Sequence, residues 1–558
     1  MAKVNSQLLF LTTSPRTPEK MVAEISILAD CFVGKKWDKN SQIFFMKKLA
    51  EADFYHGEGK NDPAFSARDR INRAPKSLGF VKLKPDIQLT PAGERLLYAK
   101  SKDEVFLRQM LKFQLPSPFH VPSENAAKFC VKPYLEILRL VRTLGTLKFD
   151  ELQIFGMQLT DYHKFEQIVE KIETFRIEKA QNKGNYRLFK AESLKRELAD
   201  VFQKRIASGE TKTRESNDRS LQKFLSTQAN NTRDYADACF RYLRATGLVA
   251  VSHIGKSLSV VPERMDEVDY ILNTVSREPV IIDDEDDYLE YLGNAMTPNL
   301  LTDNRKQLVN KIMLSFPDLT LPEKANILEL KDLLANARER KKSEMMAEQV
   351  SAIKKYSLYD DIQMTYGQIT KGDLFDKPLL FEWNTWRAMT MIDGGDIKAN
   401  LLFDDFGKPY SAAAGNMADI VCDYGDFLVS VEVTLSSGQR QFETEGESVN
   451  RHLGKMKLAT GRPCYCLFIA PTINDACVSF FYMLHHLNVS MYGGTSIIVP
   501  LPLNVFQKMI EDSYKAKYIP GPRHVRDFFE NSGAFSKQSE NECDWYNKII
   551  QKALHWLD

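Results

Sequence analysis

The sequence lacks the features that mark zinc-binding, disulfide-rich or membrane-spanning proteins. Its 558 residues include eight cysteines but no CxxC pair, so we expect neither a zinc site nor a disulfide framework, and we expect reduced thiols as in a cytoplasm. No apolar run is long enough to cross a bilayer, and no charged-then-apolar signal follows Met1. The formal net charge is only +1, so binding to nucleic acid would require local basic patches.

Length and composition indicate an ordinary multidomain globular protein. The chain is long enough for several domains with substantial cores. It is 43% apolar and 27% charged, which is typical of soluble folds. Function must therefore be inferred from local patterns.

Two apolar, β-branched runs flank a turn signal in the C-terminal part. The runs are Ile420-Val421-Cys422 and Leu428-Val429-Ser430-Val431-Glu432-Val433, and Asp423-Tyr424-Gly425-Asp426 separates them. This pattern predicts a β-hairpin. We expect the turn to centre on Tyr424 and Gly425.

This turn would bring two carboxylates onto one face of the sheet. Asp419 would lie opposite Ser430, and Glu432 would lie one diagonal step from Asp419 because side chains alternate with period two. Diagonal neighbours are about 7–8 Å apart, close enough for two carboxylates to share a divalent cation. Oxygen-only ligands suit Mg²⁺. An Asp and a Glu on the solvated face of an antiparallel sheet would give the same pattern.

A helix with an acidic residue and a histidine on one face follows this hairpin. Ser436-Ser437-Gly438 breaks the strand, and residues 441–458 have a helical pattern. Glu445 and His452 are seven positions apart, so they share a helix face with Gln441 and Ser448. Carboxylates on a strand followed by Glu and His on a helix predict a metal-dependent phosphodiesterase centre.

Other segments complete a mixed α/β core around this centre. Glu382 lies in an amphipathic helix after Pro378 and could supply another acidic ligand, although its aromatic neighbours are more typical of a core helix. Residues 465–471 and 495–501 are expected to be buried strands that bracket a helix. Hairpin, helix, strand, helix and strand make a mixed α/β arrangement.

The N-terminal part contains a pattern typical of winged-helix modules. Residues 65–76 form a basic helix, residues 78–83 and 87–89 a short hairpin, and Thr90-Pro91 starts a capped helix. In such modules a helix enters the major groove and the hairpin contacts the DNA backbone. The same charges would also suit a solvated, salt-bridged helix surface. A weaker copy occupies residues 231–261, with a hairpin turn at Gly255-Lys256.

Other N-terminal segments have less specific patterns. Thr17 is expected to cap a helix that has Pro18 in its first turn. Leu144 to Leu152 looks like the start of a further helix-turn-helix module that serves as scaffold, and residues 208–231 look like a mobile basic loop that could order against phosphates. Residues 302–316 and 322–355 are expected to form a helical connector.

The predicted DNA contacts come from the two basic helices and this loop. Arginine with guanine is the commonest specific pair in the major groove, so Arg68, Arg70 and Arg233 are predicted to read bases. Asp69 and Asp234 are predicted either to fix these arginines or to accept from a cytosine amino group. The predicted phosphate contacts are Arg73, Lys76, Arg214 and Lys223.

Specific motifs in combination make the chain resemble a known family. They are Ser14-Pro15-Arg16-Thr17-Pro18-Glu19-Lys20, Ala64-Phe65-Ser66-Ala67-Arg68-Asp69-Arg70, Phe106-Leu107 through Phe113-Gln114 with Pro116-Ser117, Phe381-Glu382-Trp383 with Thr385-Trp386, Ala413-Ala414-Gly415-Asn416 with Asp419, Glu432-Val433-Thr434, Arg451-His452 and Tyr465-Cys466-Leu467-Phe468-Ile469-Ala470-Pro471. Over nearly its whole length the chain resembles the AlwI-type Type IIS restriction endonucleases and their nicking relatives.

The resemblance implies a multidomain α/β protein with three parts. A DNA-recognition region would occupy residues 1–280, with winged-helix subdomains at about 1–120 and 200–280 and a helical module at about 125–195. A helical linker would occupy residues 281–356, and a PD-(D/E)xK-like cleavage domain residues 357–558. The implied catalytic cluster is Asp419, Glu432, Glu445, His452 and Glu382, with Mg²⁺ held by Asp419, Glu432 and Glu382.

The resemblance also implies a substrate and partners. The substrate would be double-stranded DNA with a short asymmetric site of the GGATC or GAGTC kind, cut a few nucleotides outside it. A transient homodimer or a smaller catalytic subunit would cut the second strand. A companion DNA methyltransferase in the same restriction-modification system and a bacterial cytoplasmic location, without a membrane, are also implied.

One position departs from the general nuclease motif. Thr434 stands where a lysine is expected two residues after the second carboxylate, and Ala418 replaces the proline before the first. Threonine cannot supply a lysine's positive charge. Glu445 could bind metal or orient water, and His452 could act as acid–base or steady the phosphate; we favour water activated by the metal with His452 assisting.

Two other functions fit the same residues. The protein could be a strand-specific nicking enzyme or the large subunit of a heterodimeric endonuclease, because one nuclease centre cuts one strand per engagement. It could also be an inactive sequence-specific DNA-binding protein, in which the residues from Glu382 to His452 are structural.

Overall fold

The computed structural model divides the chain into two compact units. One comprises Met1–Leu49 and Glu58–Asn336, and the other comprises Ala50–Gly57 and Ala337–Asp558. The structure describes residues 2–52, 62–124, 126–213, 216–253, 256–372, 374–392, 394–404, 407–412, 417–516 and 518–557. The division between residues 336 and 337 falls inside the segment predicted to be a helical linker.

The first unit is mainly helical and has short strands. Its helices are α1 Lys20–Phe32, α2 Lys39–Glu51, α3 Pro63–Ile71, α4 Ala74–Ser77, α5 Pro91–Tyr98, α6 Asp103–Lys112, α7 Pro133–Leu144, α8 Phe149–Ile154, α9 Phe165–Gln181, α10 Tyr186–Val201, α11 Gln203–Ala207, α12 Leu221–Arg244, α13 Met265–Thr274, α14 Glu285–Gly293 and α15 Arg305–Ser315. Its strands are β1 Ala2–Val4, β2 Val81–Lys82, β3 Gln88–Leu89, β4 His120–Pro122, β5 Thr146–Lys148, β6 Val249–Ser252 and β7 Ser257–Val260.

The two predicted helix–hairpin–helix patterns are present in this unit. In the first, α3 and α4 precede the antiparallel pair β2–β3, and α5 follows with Thr90 as its N-cap, because the Thr90 hydroxyl accepts from Gly93 N. In the second, α12 precedes the antiparallel pair β6–β7, and α13 follows. Gly255 of the second predicted turn lies outside the described residues.

Three local expectations in this unit are wrong. The helix after Thr17 begins at Lys20, and residues 17–19 form turns in which Thr17 O and Pro18 O accept from Lys20 N and Met21 N. The predicted helix-turn-helix start at residues 144–152 contains strand β5, which pairs with β7. Gly145, with φ +71°, ends α7 and lets the chain turn into that strand.

The third error is the predicted loop at residues 208–231. Helix α12 already begins at Leu221, with Ser220 as its N-cap. Phe224 and Leu225 are buried against Leu198 and Phe202. Burial of these apolar side chains stabilises a helix that the polar composition concealed.

The second unit is a mixed α/β fold. Helix α16, Ile327–Lys354, crosses the boundary between the units. Beyond it lie the helices α17 Tyr359–Lys371, α18 Lys377–Thr390, α19 Gln439–Thr460, α20 Asp475–His486, α21 Leu503–Lys515, α22 Pro522–Gln538 and α23 Glu542–Leu554. The strands are β8 Asp396–Ala399, β9 Leu401–Phe403, β10 Pro409–Ala412, β11 Ile420–Asp423, β12 Leu428–Val433, β13 Cys464–Ala470 and β14 Ile498–Pro502.

A five-stranded sheet forms the centre of this unit. Its strand order is β14-β13-β12-β11-β8, with β12, β13 and β14 parallel and β11 antiparallel to both of its neighbours. The predicted order of hairpin, helix, strand, helix and strand is therefore confirmed. Every residue of β13 is buried, as expected for a central parallel strand covered on both faces.

One large apolar core supports this sheet. It contains the inward side chains of β11 to β14 together with residues of helices α17 to α23, including the fully buried Trp545. Among the described residues, no helix has the length and apolarity needed to cross a membrane.

Candidate active site

The hairpin that carries the two carboxylates has a different register from the one predicted. Ile420 pairs with Val431 and Asp423 with Leu428, so the turn centres on Gly425 and Asp426. Gly425 has φ +85°, and its N–H donates to the Asp423 carboxylate at 2.9 Å. A glycine with positive φ at the first central position is what a type II′ hairpin turn requires, which explains the later turn.

The corrected register brings Asp419 and Glu432 closer together than predicted. Continuing the pairing by one residue places Asp419 opposite Glu432, not Ser430. Because the error is two residues, both side chains remain on one face of the sheet. Asp419 Oδ2 accepts from Val433 N at 2.8 Å, and Asp419 O accepts from Asn400 N at 2.8 Å. These bonds fix Asp419 just before β11 begins.

The two carboxylates are in an environment that opposes their negative charge. Burial raises the pKa of Asp419 well above its ordinary value, and the charge of Glu432 raises that pKa further. Burial also raises the pKa of Glu432 well above its ordinary value, with further increases from Glu445 and Glu382. Four of the five predicted catalytic side chains thus interact electrostatically.

His452 joins this cluster through Glu432. Its Nδ1 lies 2.8 Å from Glu432 Oε1, and both side chains are largely buried. Burial lowers the pKa of His452 to about 4, and the positive charges of Arg451 and Lys455 contribute. The imidazole is therefore neutral near pH 7, with one nitrogen that donates and one that accepts.

The helix that carries His452 is fastened at its start by a residue without a predicted role. Gln441 is fully buried; its Nε2 donates to Ser436 O and Thr472 O, each at 2.9 Å, and its Oε1 accepts from Asn474 N at 2.7 Å. It thereby ties α19 to the chain that follows both β12 and β13. The sequence placed Gln441 on the face of Glu445 and His452, but these backbone partners could not be read from spacing.

Thr434 has a structural position at the end of β12. Its N–H donates to Ile469 O at 3.1 Å, and its hydroxyl accepts from Ser436 N at 3.1 Å. The positive charges that act on the cluster come instead from α19, where Arg451 lowers the pKa values of both Glu432 and His452. The sequence paired Arg451 with His452 only as a family motif.

The donor set fits a magnesium ion held by few protein ligands. Within the described ranges, no three His, Cys, Asp or Glu side chains form a group that could hold a metal ion. Mg²⁺ needs fewer protein ligands than such a group provides, since it retains water molecules and is usually bound by one or two carboxylates and a substrate phosphate. Asp419 and Glu432 provide two facing carboxylates, and a cation would relieve their repulsion. That Asp419, Glu432 and Glu382 hold Mg²⁺ remains a prediction.

Comparison with known proteins identifies the family. The family model for the AlwI restriction endonuclease matches residues 76–509, which is more than three quarters of the chain and includes the whole carboxylate cluster. The protein belongs to the AlwI restriction endonuclease family.

Solved structures of restriction enzymes are also similar to this AlwI-family chain. The small subunit (R.BspD6I2) of the heterodimeric restriction endonuclease R.BspD6I is 25% identical, covers 36% of this chain and 95% of its own, and has a TM-score of 0.28. The binding domain of the BpuJ1 endonuclease, solved with pyrene- and phenanthrene-modified DNA, is 14% identical, covers 52% of this chain and 97% of its own, and has a TM-score of 0.33. The restriction endonuclease FokI is 12% identical, covers 92% of this chain and 97% of its own, and has a TM-score of 0.23. No curated protein matched the sequence. With scores this low, the assignment rests on the family model.

The predicted DNA contacts of this AlwI-family chain divide into paired and outward-facing side chains. Arg70 forms an ion pair with the buried Glu24, and Arg73 pairs with Asp69 at 2.5 Å. Arg68 is exposed and donates to Gln42 Oε1 at 2.9 Å.

Lys76 and the residues of α12 complete this set. The Lys76 ammonium lies 3.7 Å from Glu285 and 4.2 Å from the centre of the Phe119 ring. Arg233 and Lys223 are exposed on α12, whereas Asp234 pairs with Arg16 at 3.3 Å. Arg214 lies outside the described residues.

Proposed function

We propose that this protein is a Type IIS restriction endonuclease that binds a short asymmetric site in duplex DNA and hydrolyses phosphodiester bonds a few nucleotides outside it, with Mg²⁺ as cofactor. Family membership and the facing pair Asp419–Glu432 support the proposal. The second unit would be the PD-(D/E)xK-like cleavage domain, because a carboxylate-bearing hairpin lies within its mixed sheet.

The facing pair Asp419–Glu432 is the observation that carries the proposal. Without a cation, the two carboxylates would have to relieve their mutual repulsion by protonation, which is the direction in which their raised pKa values point. When bound, Mg²⁺ would polarise the scissile phosphate and activate the attacking water. The role of Asp419 and Glu432 is to hold the ion and the phosphate together.

His452 is suited to move a proton beside this pair. If its Nδ1–H donates to Glu432, Nε2 carries the lone pair and can accept a proton from water near the phosphate. Arg451 and Lys455, on the same helix, would attract the phosphate and replace the charge that Thr434 does not supply. Glu445 would orient water from two turns earlier on α19 than His452.

Recognition is assigned to the first unit. Its two helix–hairpin–helix segments would act as winged-helix modules. Arg68 and Arg233 are the outward-facing base-reading candidates, and Lys223 is an exposed phosphate-contact candidate. A companion DNA methyltransferase and a bacterial cytoplasmic location belong to the same proposal.

The number of strands cut follows from the number of centres engaged. The residues assigned to catalysis form one set in one chain, so double-strand cleavage would need a second copy or a smaller subunit. A strand-specific nicking enzyme, or the large subunit of a heterodimeric endonuclease, is therefore the second candidate.

Incubation of the purified protein with supercoiled plasmid and Mg²⁺ tests the proposal. Linear product is expected from a double-strand endonuclease and open circles from a nicking enzyme. Plasmid that stays supercoiled with both the wild type and Asp419→Asn would show an inactive binder and contradict the proposal. The Asp426→Asn variant, altered at an exposed turn residue of the same hairpin, is the matched control and should cut normally.

A further inference from the structure

The N-terminal segment Ser14–Glu19 connects the two helices predicted to read DNA. It precedes α1 and was expected to start that helix, but it forms turns instead. Its side chains and carbonyl groups contact α12 and the α3–α4 region, although these elements are far apart in the sequence. The segment therefore has a structural task that neither helix initiation nor catalysis accounts for.

On one side the segment lies against α12. Pro15 O accepts from the buried Tyr242 hydroxyl at 2.9 Å. The Arg16 guanidinium lies 3.3 Å from Asp234 and 3.7 Å from Asp237, which are one turn apart on that helix. Asp237 in turn pairs with Arg241 at 3.1 Å.

On the other side the segment reaches the first reading helix. Ser14 O accepts from Ala74 N, at the start of α4, at 3.3 Å. Glu24, in the helix that follows the segment, forms the ion pair with Arg70 of α3. Burial raises the pKa of Glu24, while the charge of Arg70 opposes that increase. The chain from Ser14 to Glu24 thus contacts both predicted reading helices.

The pairing of Arg16 contributes little to stability. Arg16 and Asp234 are 49% and 41% exposed, and exposed ion pairs contribute about 0–1 kcal/mol. Their geometric effect matters more, because a guanidinium that lies beside two carboxylates one turn apart restrains the rotation of α12 about its axis, in addition to the buried side chains of that helix. Arg233, the neighbour of Asp234, takes its direction from that rotation.

We propose that Arg16 is a specificity-positioning residue: by bridging Asp234 and Asp237 it sets the orientation of α12 relative to α3, so that Arg233 and Arg68 meet the same DNA site in register. This inference rests on the proposed recognition function. It assigns Asp234 to Arg16, in place of the predicted contact with Arg233 or with a base.

The test compares affinity for a specific and a random duplex. A duplex selected by the wild-type protein from a pool with a randomised central segment is the specific probe, and the unselected pool is the random probe, both in EDTA. Arg16→Gln and Asp234→Asn should each lower the ratio of the two affinities by up to about fivefold, because an exposed ion pair can hold α12 in place with no more free energy than it contributes itself. Affinity for the random pool and its salt dependence should stay unchanged.

Two variants make the result specific to this ion pair. The charge exchange Arg16→Asp with Asp234→Arg should restore part of the ratio, because it re-forms the pair between positions 16 and 234 but places an aspartate beside Asp237. Arg196→Gln removes a similarly exposed arginine that lies 3.9 Å from Glu178, and it should leave the ratio unchanged. A loss that the exchange does not restore, or an unchanged ratio in Arg16→Gln, would overturn the inference. So would an equal loss on both probes with a salt slope smaller by about one charge, which would make Arg16 a phosphate contact.

Hydrogen exchange without DNA separates this inference from the proposed function. Arg16→Gln should speed exchange in peptides covering residues 14–19 and the middle of α12, whereas Arg196→Gln should not. If the wild type selects no sequence from the pool, the proposed recognition fails and the specificity role of Arg16 fails with it. If exchange in these peptides is unchanged, Arg16 does not hold α12 in place, and the inference is refuted even though the protein recognises DNA.

Discussion

Asp419→Asn should stabilise the second unit in the absence of metal while abolishing cleavage. Asparagine keeps an oxygen that can accept from Val433 N, so the main structural bond of the side chain survives. It removes one of two carboxylates that face each other across neighbouring strands. The substitution therefore separates the charge of Asp419 from its role as a hydrogen-bond acceptor.

The size of the gain follows from the cross-strand geometry. Directly opposed residues have Cβ atoms about 5 Å apart, and two unit charges at that distance repel by about 3 kcal/mol at an effective dielectric constant of about 20. Burial adds to the penalty, as the raised pKa of Asp419 indicates. Partial protonation of the wild-type pair reduces the gain, so we expect about 1–3 kcal/mol. For a unit of this size that is about 3–9 °C in the unfolding temperature.

Tryptophan fluorescence during heating suits this measurement, because four of the five tryptophans lie in the second unit. In EDTA the variant should unfold at the higher temperature. Added Mg²⁺ should stabilise only the wild type and close the gap, since a ligand that binds the native state alone stabilises it by mass action. A variant that unfolds below the wild type in EDTA would show that the Asp419 charge is not penalised and would refute the reasoning.

Four further predictions address recognition, positioning and pH. Arg68→Ala and Arg233→Ala should each weaken the free energy of binding to the specific duplex by about 1–3 kcal/mol and relax the preference at one base pair. If competition binding shows the same loss of affinity for all sequences, these residues are phosphate contacts. Asp419→Ala should abolish plasmid cleavage but leave site binding intact in a mobility-shift assay, because most affinity comes from phosphate contacts; parallel loss of binding would assign it to folding. Gln441→Leu should lower kcat more than it raises KM, since it frees the start of α19 and displaces His452 without touching DNA; an unchanged kcat would rule out that positioning. His485 is buried and neutral, with its pKa lowered to about 4 by burial, so the unfolded chain binds more protons than the folded one between pH 4 and 6.5 and the free energy of unfolding falls as the pH drops through that range. In denaturant titrations at pH 7 and pH 4.5, His485→Gln should remove up to about 3 kcal/mol of this loss of stability in acid. An unchanged pH dependence would contradict the assignment.

The sequence predicted which face of the hairpin carries the carboxylates, because side chains alternate between the two faces of a strand and an error of two residues in register leaves each side chain on the same face. The predicted and observed pairings of Asp419 differ by two residues, so the face occupied by Glu432 stayed correct while the distance between the carboxylates did not. The turn was misplaced because both Tyr424-Gly425 and Gly425-Asp426 are plausible centres. The bond from Gly425 N to Asp423, which decides between them, depends on local geometry.

Partners that are distant in the chain could not be predicted in the same way. Arg70 was assigned to DNA because helix periodicity says nothing about Glu24, which lies 46 positions earlier. The loop predicted at residues 208–231 ignored the apolar surface on α10 and α11 that buries Phe224. In both cases a contact formed only in the folded chain decides the local conformation or the role of the charge.

The paired charges in the first unit narrow the choice of side chains that can read DNA. A guanidinium already bound to a buried carboxylate, as Arg70 is to Glu24, would have to leave that carboxylate unpaired to reach a base, and an unpaired buried charge costs several kcal/mol. The contacts of Arg68 with Gln42 and Phe65 are polar or cation–π and partly exposed, so exchanging them for a guanine edge costs far less. Arg73 and Lys76 fall between these cases, since Asp69 and Glu285 remain partly solvated when released. Specificity should therefore depend most on Arg68 and Arg233, with Arg70 holding the helix that presents Arg68.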